Sequence, residues 1–414
     1  MNGDIIHPRC CGVDVHKDSI AACMRWIDEQ GNVSKESRRF GTTTQEILVF
    51  GEWLRSRDIR LVAMESTGVY WKPIWNLIEG QFEVKLANSE HIRNIPGRKT
   101  DKKDGEWIAK LLQHDLVPVS FIPPKEIREL RDLTRSRTKL VQGRSAVVNR
   151  IQKILEDANI KLASVATDIL GQSGRAMLEA MIKGQSDVAV LANMARGRMR
   201  EKIPRLQLAL AGHLTAHHRM LVRALLDQID FLDSKIFVLE GEIRQRTQPF
   251  EEVIRLWSTI PGFDGLSAAI LLAEIGPDMQ QFPSAGHLAS WAGLCPGNNE
   301  SAGKRKSGKL RHGNPWLRSL LCQTAWAASR TKKTYLAAQF HRLAARRGGK
   351  RANIAVAHTI LVIAYHILKE KRPYQELGCD YFDHIRAEGL KRYYVKRLQG
   401  LGLEVTLTPT RPSS

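Results

Sequence analysis

Two stretches of seven-residue periodicity constrain this chain more than any other feature. Val222, Ile229, Ile236 and Ile243 alternate with Leu225, Leu232 and Leu239, the pattern of a long helix with a single apolar seam. An earlier stretch sets Leu133, Leu140, Val147 and Ile154 against Leu130, Arg137, Arg144 and Ile151. Its arginines intrude on the seam, so it reads as an imperfect coiled coil. Such helices bury a seam only against a partner. The two are expected to pair as an antiparallel hairpin within the chain or with another copy, and Ile alternating with Leu slightly favours a two-stranded assembly. Residues 160–205 between them carry Gly171, Gly174, Gly184 and Gly197 and predict short helices and loops. A helical spacer over 124–246 therefore divides the chain. Before it lies a domain of residues 1–123. After it come a domain of residues 247–378 and a tail of residues 379–414, basic at first, with an end expected to be disordered.

Residues 1–123 read as α/β. Cys10 to Val15, Ser19 to Ile27 and Val33 to Phe40 predict three strands, with a turn at Asp28-Glu29-Gln30-Gly31-Asn32. Thr44 to Arg57 has helical spacing, Ile59 to Met64 is a β-rich run ending on Glu65, Gly68 to Gly80 predicts a helix, and Phe82 to Ala87 another strand. A helix is expected near Thr100, followed by a possible short strand over Val117 to Ile122. Three strands and then alternating helices and strands is the order of the RNase H-like fold.

Four acids fall at telling places in that order. Asp14 lies at the middle or end of the first strand, Glu65 ends the fourth, and Asp101 and Asp104 open the late helix three residues apart, on one face. In an RNase H-like sheet these places converge on one edge. Clustered carboxylates raise one another's pKa unless cations neutralise them, and hard oxygen ligands suit Mg²⁺ or Mn²⁺. A paired-ion site of that kind performs phosphoryl transfer.

Residues 247–378 predict a mostly helical domain. Ile260-Pro261-Gly262-Phe263-Asp264-Gly265 lies between two apolar segments, the layout of a helix-hairpin-helix, in which Pro261, Gly262 and Gly265 would leave backbone N–H groups open to a phosphate. A glycine-punctuated basic run follows, with Lys304, Arg305, Lys306, Lys309 and Arg311, then Arg318 on an apolar helix. From Ser301 to Lys369 there are 15 Lys or Arg and no Asp or Glu, which points to phosphate binding. Ser301 and Ser307 both sit where cationic neighbours would stabilise an alkoxide, and the chemistry of the run leaves both open as nucleophiles.

The charge balance agrees: 63 Lys+Arg against 43 Asp+Glu give a net charge of +20, which implies a polyanionic partner such as DNA or RNA. Six cysteines form no C-x-x-C pair, and no uninterrupted apolar run reaches the ~18 residues of a bilayer span. No membrane association and a cytoplasmic location are expected.

Taken in order, GVDVHKD, AMESTGVYW and KTDKKDG over residues 11–122, and the PGFDG turn with GLCPGNNESAGKRKSGKLRHGNPWLR over residues 257–370, resemble the DEDD-type insertion-sequence transposases of the one-ten family. The resemblance implies a RuvC-like nuclease domain with Asp14, Glu65, Asp101 and Asp104 as a metal-binding tetrad. It implies a C-terminal transposase domain whose matching serine, Ser301, bonds covalently to DNA. It implies a guide (bridge) RNA that pairs with donor and target DNA, and a homo-oligomer, dimeric or tetrameric, in which tetrad and serine complete one site across subunits. Residues 160–205 and the tail beyond 380 are additions to that pattern. Two other functions stay open on the residues alone: a metal-dependent Holliday-junction-type endonuclease that uses water, and a non-catalytic nucleic-acid-binding assembly protein.

Overall fold

The computed structural model describes residues 5–65, 68–87, 92, 104–117, 119–296, 299–301, 304–307, 310, 312–385 and 387–408, the backbone alone at 299–301, 304–307 and 390. The chain divides into two compact units, Met1–Ile122 and Pro123–Ser414.

The first unit is built on a 5-stranded sheet of order β3-β2-β1-β4-β5. Strands β1 (Arg9–Val15), β2 (Ile20–Ile27) and β3 (Val33–Phe40) form an antiparallel meander. Helix α1 (Thr44–Arg55) leads to β4 (Leu61–Glu65), and α2 (Trp71–Ile78) leads to β5 (Glu83–Ala87). Both later strands run parallel to β1. Helix α3 (Asp104–Gln113) follows. Of the strand expected over Val117 to Ile122, one isolated bridge forms, Ala87 to Val119.

Period-2 alternation sorts β1 and β4 onto two faces. Cys11, Val13, Val62 and Met64 pack with Phe50 and Leu54 of α1 and Ile74 of α2. Cys10, Leu61 and Ala63 pack with Ile108, Leu111 and Leu112 of α3. The α3 face is drawn in unusually close: a Cβ on Gly12 would meet the Ala109 nitrogen at 2.1 Å and the Gly105 oxygen at 2.3 Å, and one on Gly105 would meet the Ala21 oxygen at 2.7 Å. Arg25 Nε donates to Gln113 at 2.9 Å and Lys35 to Glu106, which ties α3 to the outer strands.

The second unit opens with two long helices, α4 (Lys125–Asp157) and, after the distal helices described next, α9 (Ala216–Thr247). They pair antiparallel within the chain: Glu129 meets Arg246, Arg137 meets Glu240 and Arg144 meets Asp233. These ion pairs explain the arginines in the seam, which face carboxylates on the other helix. Two helices bury a seam only partly, so Leu133, Leu140, Ile236 and Leu239 stay half-buried, and full burial falls at the two ends, where further elements add a layer.

At the far end, residues expected as short helices and loops form a small bundle with its own core. Helices α5 (Leu162–Val165), α6 (Gln172–Ile182) and α7 (Val188–Asn193), a 3₁₀ turn (Gly197–Lys202) and α8 (Ile203–Ala209) bury Leu162, Met177, Leu191 and Leu206 against Val147, Ile151, Val222 and Leu226.

At the near end sit α10 (Glu251–Trp257), α11 (Gly265–Ile275), α12 (Ala285–Trp291), the two-stranded pair β6 (Asn299–Ser301) and β7 (Lys304–Ser307), then α13 (Pro315–Arg330), α14 (Tyr335–Arg347) and α15 (Gly349–Glu370). By length and composition α15 passes as a membrane span, although no apolar run of that length was expected. Its Val356, Ala357, Ile360, Leu361 and Ala364 are instead buried in this unit, and Trp257 Nε1 donates to the Ala364 carbonyl at 2.9 Å. It is a core helix. Within the stretch read as a tail, α16 (Tyr381–Ile385) and α17 (Ala387–Gln399) are helical.

Candidate functional site

Asp14 and Glu65 are placed by strand register. Val13 pairs with Met64 in the parallel β1–β4 ladder, so Asp14 and Glu65 stand one rung further on, at the carboxyl ends of adjacent parallel strands. Alternation points both toward the α3 face, past Gly12 and Ala63. Both are nearly covered, Asp14 at 8% exposure and Glu65 at 6%. Asp104 is the first residue of α3, and the Gly12–Gly105 approach sets that helix start directly on β1. Asp14 and Asp104 line one open cavity with Ala21, Cys23 and Gly105. The His16 imidazole lies 3.1 Å from Asp14 Oδ2.

Asp101, the fourth expected acid, lies outside the described residues. Among the described residues no group of three or more His, Cys, Asp or Glu forms a metal-holding set. The donors nevertheless fit a divalent cation in kind. They are hard carboxylate oxygens, withdrawn from water, and no Lys or Arg pairs with Asp14 or Glu65 among the described residues; two buried carboxylates with the His16 imidazole against one of them are costly without a cation. The nearby thiols do not compete for the role. Burial pushes the Cys10 thiol up to about 12 and also raises Cys11 and Cys23, so they stay protonated near neutrality.

The basic segment has a simple local form. β6 and β7 pair antiparallel, with Ser301 opposite Lys304 beside the turn and Ser307 opposite Asn299 at the base. The two candidate serines thus occupy opposite ends of one hairpin. Lys304, Arg305 and Lys306 lie along β7, their side chains outside the described residues, as are Lys309 and Arg311 entirely. Arg318 sits half-buried in the first turns of α13.

The turn between α10 and α11 is tighter than its reading as an open phosphate cradle. Gly262 has φ +86, and a Cβ there would meet the Thr324 oxygen at 2.5 Å and the Ala328 nitrogen at 2.6 Å, so this glycine serves close packing on α13. Asp264 caps α11 by accepting from the Ser267 N–H at 2.7 Å. The helix start beside Pro261 and Gly265 already holds a carboxylate.

Sequence reasoning missed the buried carboxylate that ties the segment after the β6–β7 hairpin to α4. Glu274 on α11 is fully buried. Arg135 of α4 donates to both its oxygens, Nε and Nη2 each at 2.8 Å, and Arg131 lies 3.7 Å away. Asn314 donates its Nδ2 to the same carboxylate at 2.5 Å. A lone acid inside the apolar run Ile270-Leu271-Leu272-Ala273-Glu274-Ile275 was the available signal.

Two family models match the chain: the IS110 DEDD transposase model over residues 11–160, and the transposase model of the IS116/IS110/IS902 family over residues 254–342. The chain belongs to the IS110 family of transposases. It is therefore an enzyme that cleaves and rejoins DNA in the recombination of insertion sequences. The curated relatives agree. Over 376 residues it is 25% identical to the transposase for insertion sequence element IS1111A of Coxiella burnetii, covering 88% of this chain and 90% of that one. Over 274 residues it is 27% identical to a probable family 20 transposase of Pseudomonas aeruginosa, covering 65% and 71%. Over 329 residues it is 26% identical to the insertion element IS900 uncharacterized 42 kDa protein of Mycobacterium paratuberculosis, covering 70% and 79%. The first matched segment of this IS110 transposase contains all four expected acids, and the second contains the β6–β7 hairpin.

Proposed function

We propose that this transposase excises and inserts its element through a covalent phosphoserine intermediate, with an RNase H-like, RuvC-like first unit supplying metal-bound carboxylates. The observation that carries this reading is the pairing of Asp14 with Glu65 on neighbouring parallel strands above the start of α3. The strand order β3-β2-β1-β4-β5 supports it, since an antiparallel meander followed by parallel strands is the RNase H-like arrangement.

In this reading Asp14, Glu65, Asp101 and Asp104 hold Mg²⁺ or Mn²⁺, and the bound ion supplies Lewis-acid polarisation of the scissile phosphate. The Ser301 hydroxyl gives up its proton and its oxygen attacks phosphorus. A P–Oγ bond forms, the bond from phosphorus to the 3′-oxygen breaks, and the departing oxygen takes a proton to become a 3′-hydroxyl. A 3′-hydroxyl of another strand then attacks the phosphoserine, which restores a phosphodiester and frees Ser301. Lys304, Arg305, Lys306, Lys309, Arg311 and Arg318 hold the phosphate backbone. A bridge RNA pairs with donor and target DNA and sets sequence choice, much as pairing does in other guided systems. The active form is a dimer or tetramer in which one subunit's serine serves another's carboxylates.

The test is denaturing electrophoresis of the protein after reaction with a labelled element end and the RNA that co-purifies with it. An adduct that disappears in Ser301→Ala and persists in Ser307→Ala is the expected result. Cleavage with no adduct in the wild type would leave a water-using endonuclease. An adduct lost only in Ser307→Ala would move the nucleophile to the base of the hairpin.

A further inference from the structure

The bundle at the far end of the α4–α9 hairpin lies outside both segments matched by the family models. Part of its charge is gathered on a single turn. On the hairpin Arg137 is met by Glu240, Arg144 by Asp233 and Arg246 by Glu129 and Glu242, and in the bundle Arg175 is met by Glu179 and Asp230. Between residues 196 and 205 the pattern inverts. Arg196, Arg198, Arg200, Lys202 and Arg205 crowd one 3₁₀ turn and the start of α8, Glu201 is the one acid among them, and none of the five forms an ion pair among the described residues.

The turn is held in place. Gly197 takes φ +55, open to glycine, to start it. The Arg196 N–H donates to Ser173 Oγ at 2.9 Å, and Lys202 Nζ donates to the Val165 carbonyl at 3.1 Å. Arg196, Arg198 and Lys202 line a cleft of about 430 Å³. Gly171, Gln172 and Ser173 line it too, at a helix start that carries no acid in its first turn. Asp168 is the one carboxylate lining the cleft, and its Oδ1 accepts the Leu170 N–H at 2.9 Å.

We infer that this turn and cleft form a nucleic-acid-binding site that grips a phosphodiester backbone, separate from the basic hairpin of the second matched segment. Five like charges gathered on an anchored turn repel one another, while the carboxylates that meet Arg137, Arg144, Arg175 and Arg246 pair with none of the five among the described residues. A polyanion relieves that repulsion at every position at once, releasing condensed counterions as it binds. The cleft reads no bases: its donors are guanidinium, ammonium and backbone groups, so it grips either DNA flanking the exchange point or the stem of a structured RNA. The inference rests on the family's DNA recombination and not on the serine mechanism.

The experiment is equilibrium binding of the full-length protein to a duplex carrying the element end and, separately, to a structured RNA hairpin, between about 50 and 200 mM salt. Arg196→Gln, Arg198→Gln and Arg200→Gln are combined, since all three side chains are exposed. The expected result is a salt slope shallower by about two to three, with weaker binding of at least one of the two nucleic acids across all sequences. Loss confined to the duplex or to the RNA identifies which backbone the cleft holds. Arg144→Gln, which breaks a hairpin ion pair, is the control: it is expected to leave the slope alone. An unchanged slope with both nucleic acids, in a triple variant whose circular dichroism and melting match the wild type, overturns the site. So does a wild type that binds neither.

Discussion

Asn314 and Glu274 share a hydrogen bond, Nδ2 to Oε2 at 2.5 Å, that fastens the end of the basic segment to the root of the long hairpin. The other end of the same amide caps α13, with Oδ1 accepting the N–H groups of Trp316 at 3.0 Å and Leu317 at 3.1 Å. Glu274 in turn is gripped by Arg135. One buried carboxylate thus joins α4, α11 and the N-terminus of α13. Removing it leaves the guanidinium groups of Arg131 and Arg135 facing the same gap with no carboxylate between them. Glu274→Ala is expected to destabilise the second unit by about 3–5 kcal/mol, seen as a lower urea midpoint.

Gly12 has no room for a methyl group. With the backbone of α3 at 2.1–2.3 Å from its Cβ position, Gly12→Ala must push α3 off β1, moving Asp104 away from Asp14. A cost of about 3 kcal/mol or more is expected. Thermal melting checks the loss, and DNA strand cleavage by any residual folded protein is expected to fall with it.

Asp14→Asn removes charge without volume. Because Asp14 and Glu65 are both buried and have no Lys or Arg partner among the described residues, the variant is expected to melt no lower than the wild type in chelator, while strand cleavage falls at least about 100-fold. Added Mg²⁺ should raise the melting temperature of the wild type and not that of the variant.

Asp264 gives a pH signature. Burial works against its charge, but hydrogen bonds from the Ser267 hydroxyl and N–H outweigh it and hold the carboxyl below the usual range. A depressed folded pKa contributes stability that is complete above the unfolded value of about 3.9 and fades as pH falls through the folded value. Asp264→Ala is expected to cost about 0.5–2 kcal/mol at neutral pH and progressively less below pH about 4. Denaturant melts across that window measure it, and Asp264→Asn, still able to cap, should lose the pH dependence and keep most of the stability.

Thiol labelling should report the same packing. Cys379 is exposed and Cys10, Cys11 and Cys23 are buried, with their thiols pushed upward by that burial. Alkylation at pH 8 should modify Cys379 first and the three N-terminal cysteines only at the unfolding rate of the sheet, as mass spectrometry over time would show.

Much of the first unit was legible. Val33–Phe40 was read to the residue, and Asp14, Glu65 and Asp104 were each assigned to the element where they stand, because strand alternation and an acid at an element end are local signals. What the sequence could not express was proximity across the sheet face. Gly12 stands within GVDVHKD, yet its meaning comes from α3, some ninety positions later in the chain. The arginines at 137 and 144 looked like flaws in a heptad because their carboxylates lie on the returning helix. Glu274 was passed over for the same reason: a charge in an apolar run makes sense only once its two arginines and Asn314 surround it. Gly262 reads as part of an open phosphate-binding turn because the motif is local, while its actual constraint is the backbone of α13.

The hairpin has a mechanical consequence. From the turn of Arg135 to the end of α4 the helix runs about 30 Å at 1.5 Å per residue. A tilt of about 10° at the Glu274 anchor would sweep the distal bundle through about 5 Å over that length. A rearrangement too slight to notice beside the basic hairpin would therefore be a stride at the other end, about one to two base-pair steps of a duplex at about 3.4 Å each.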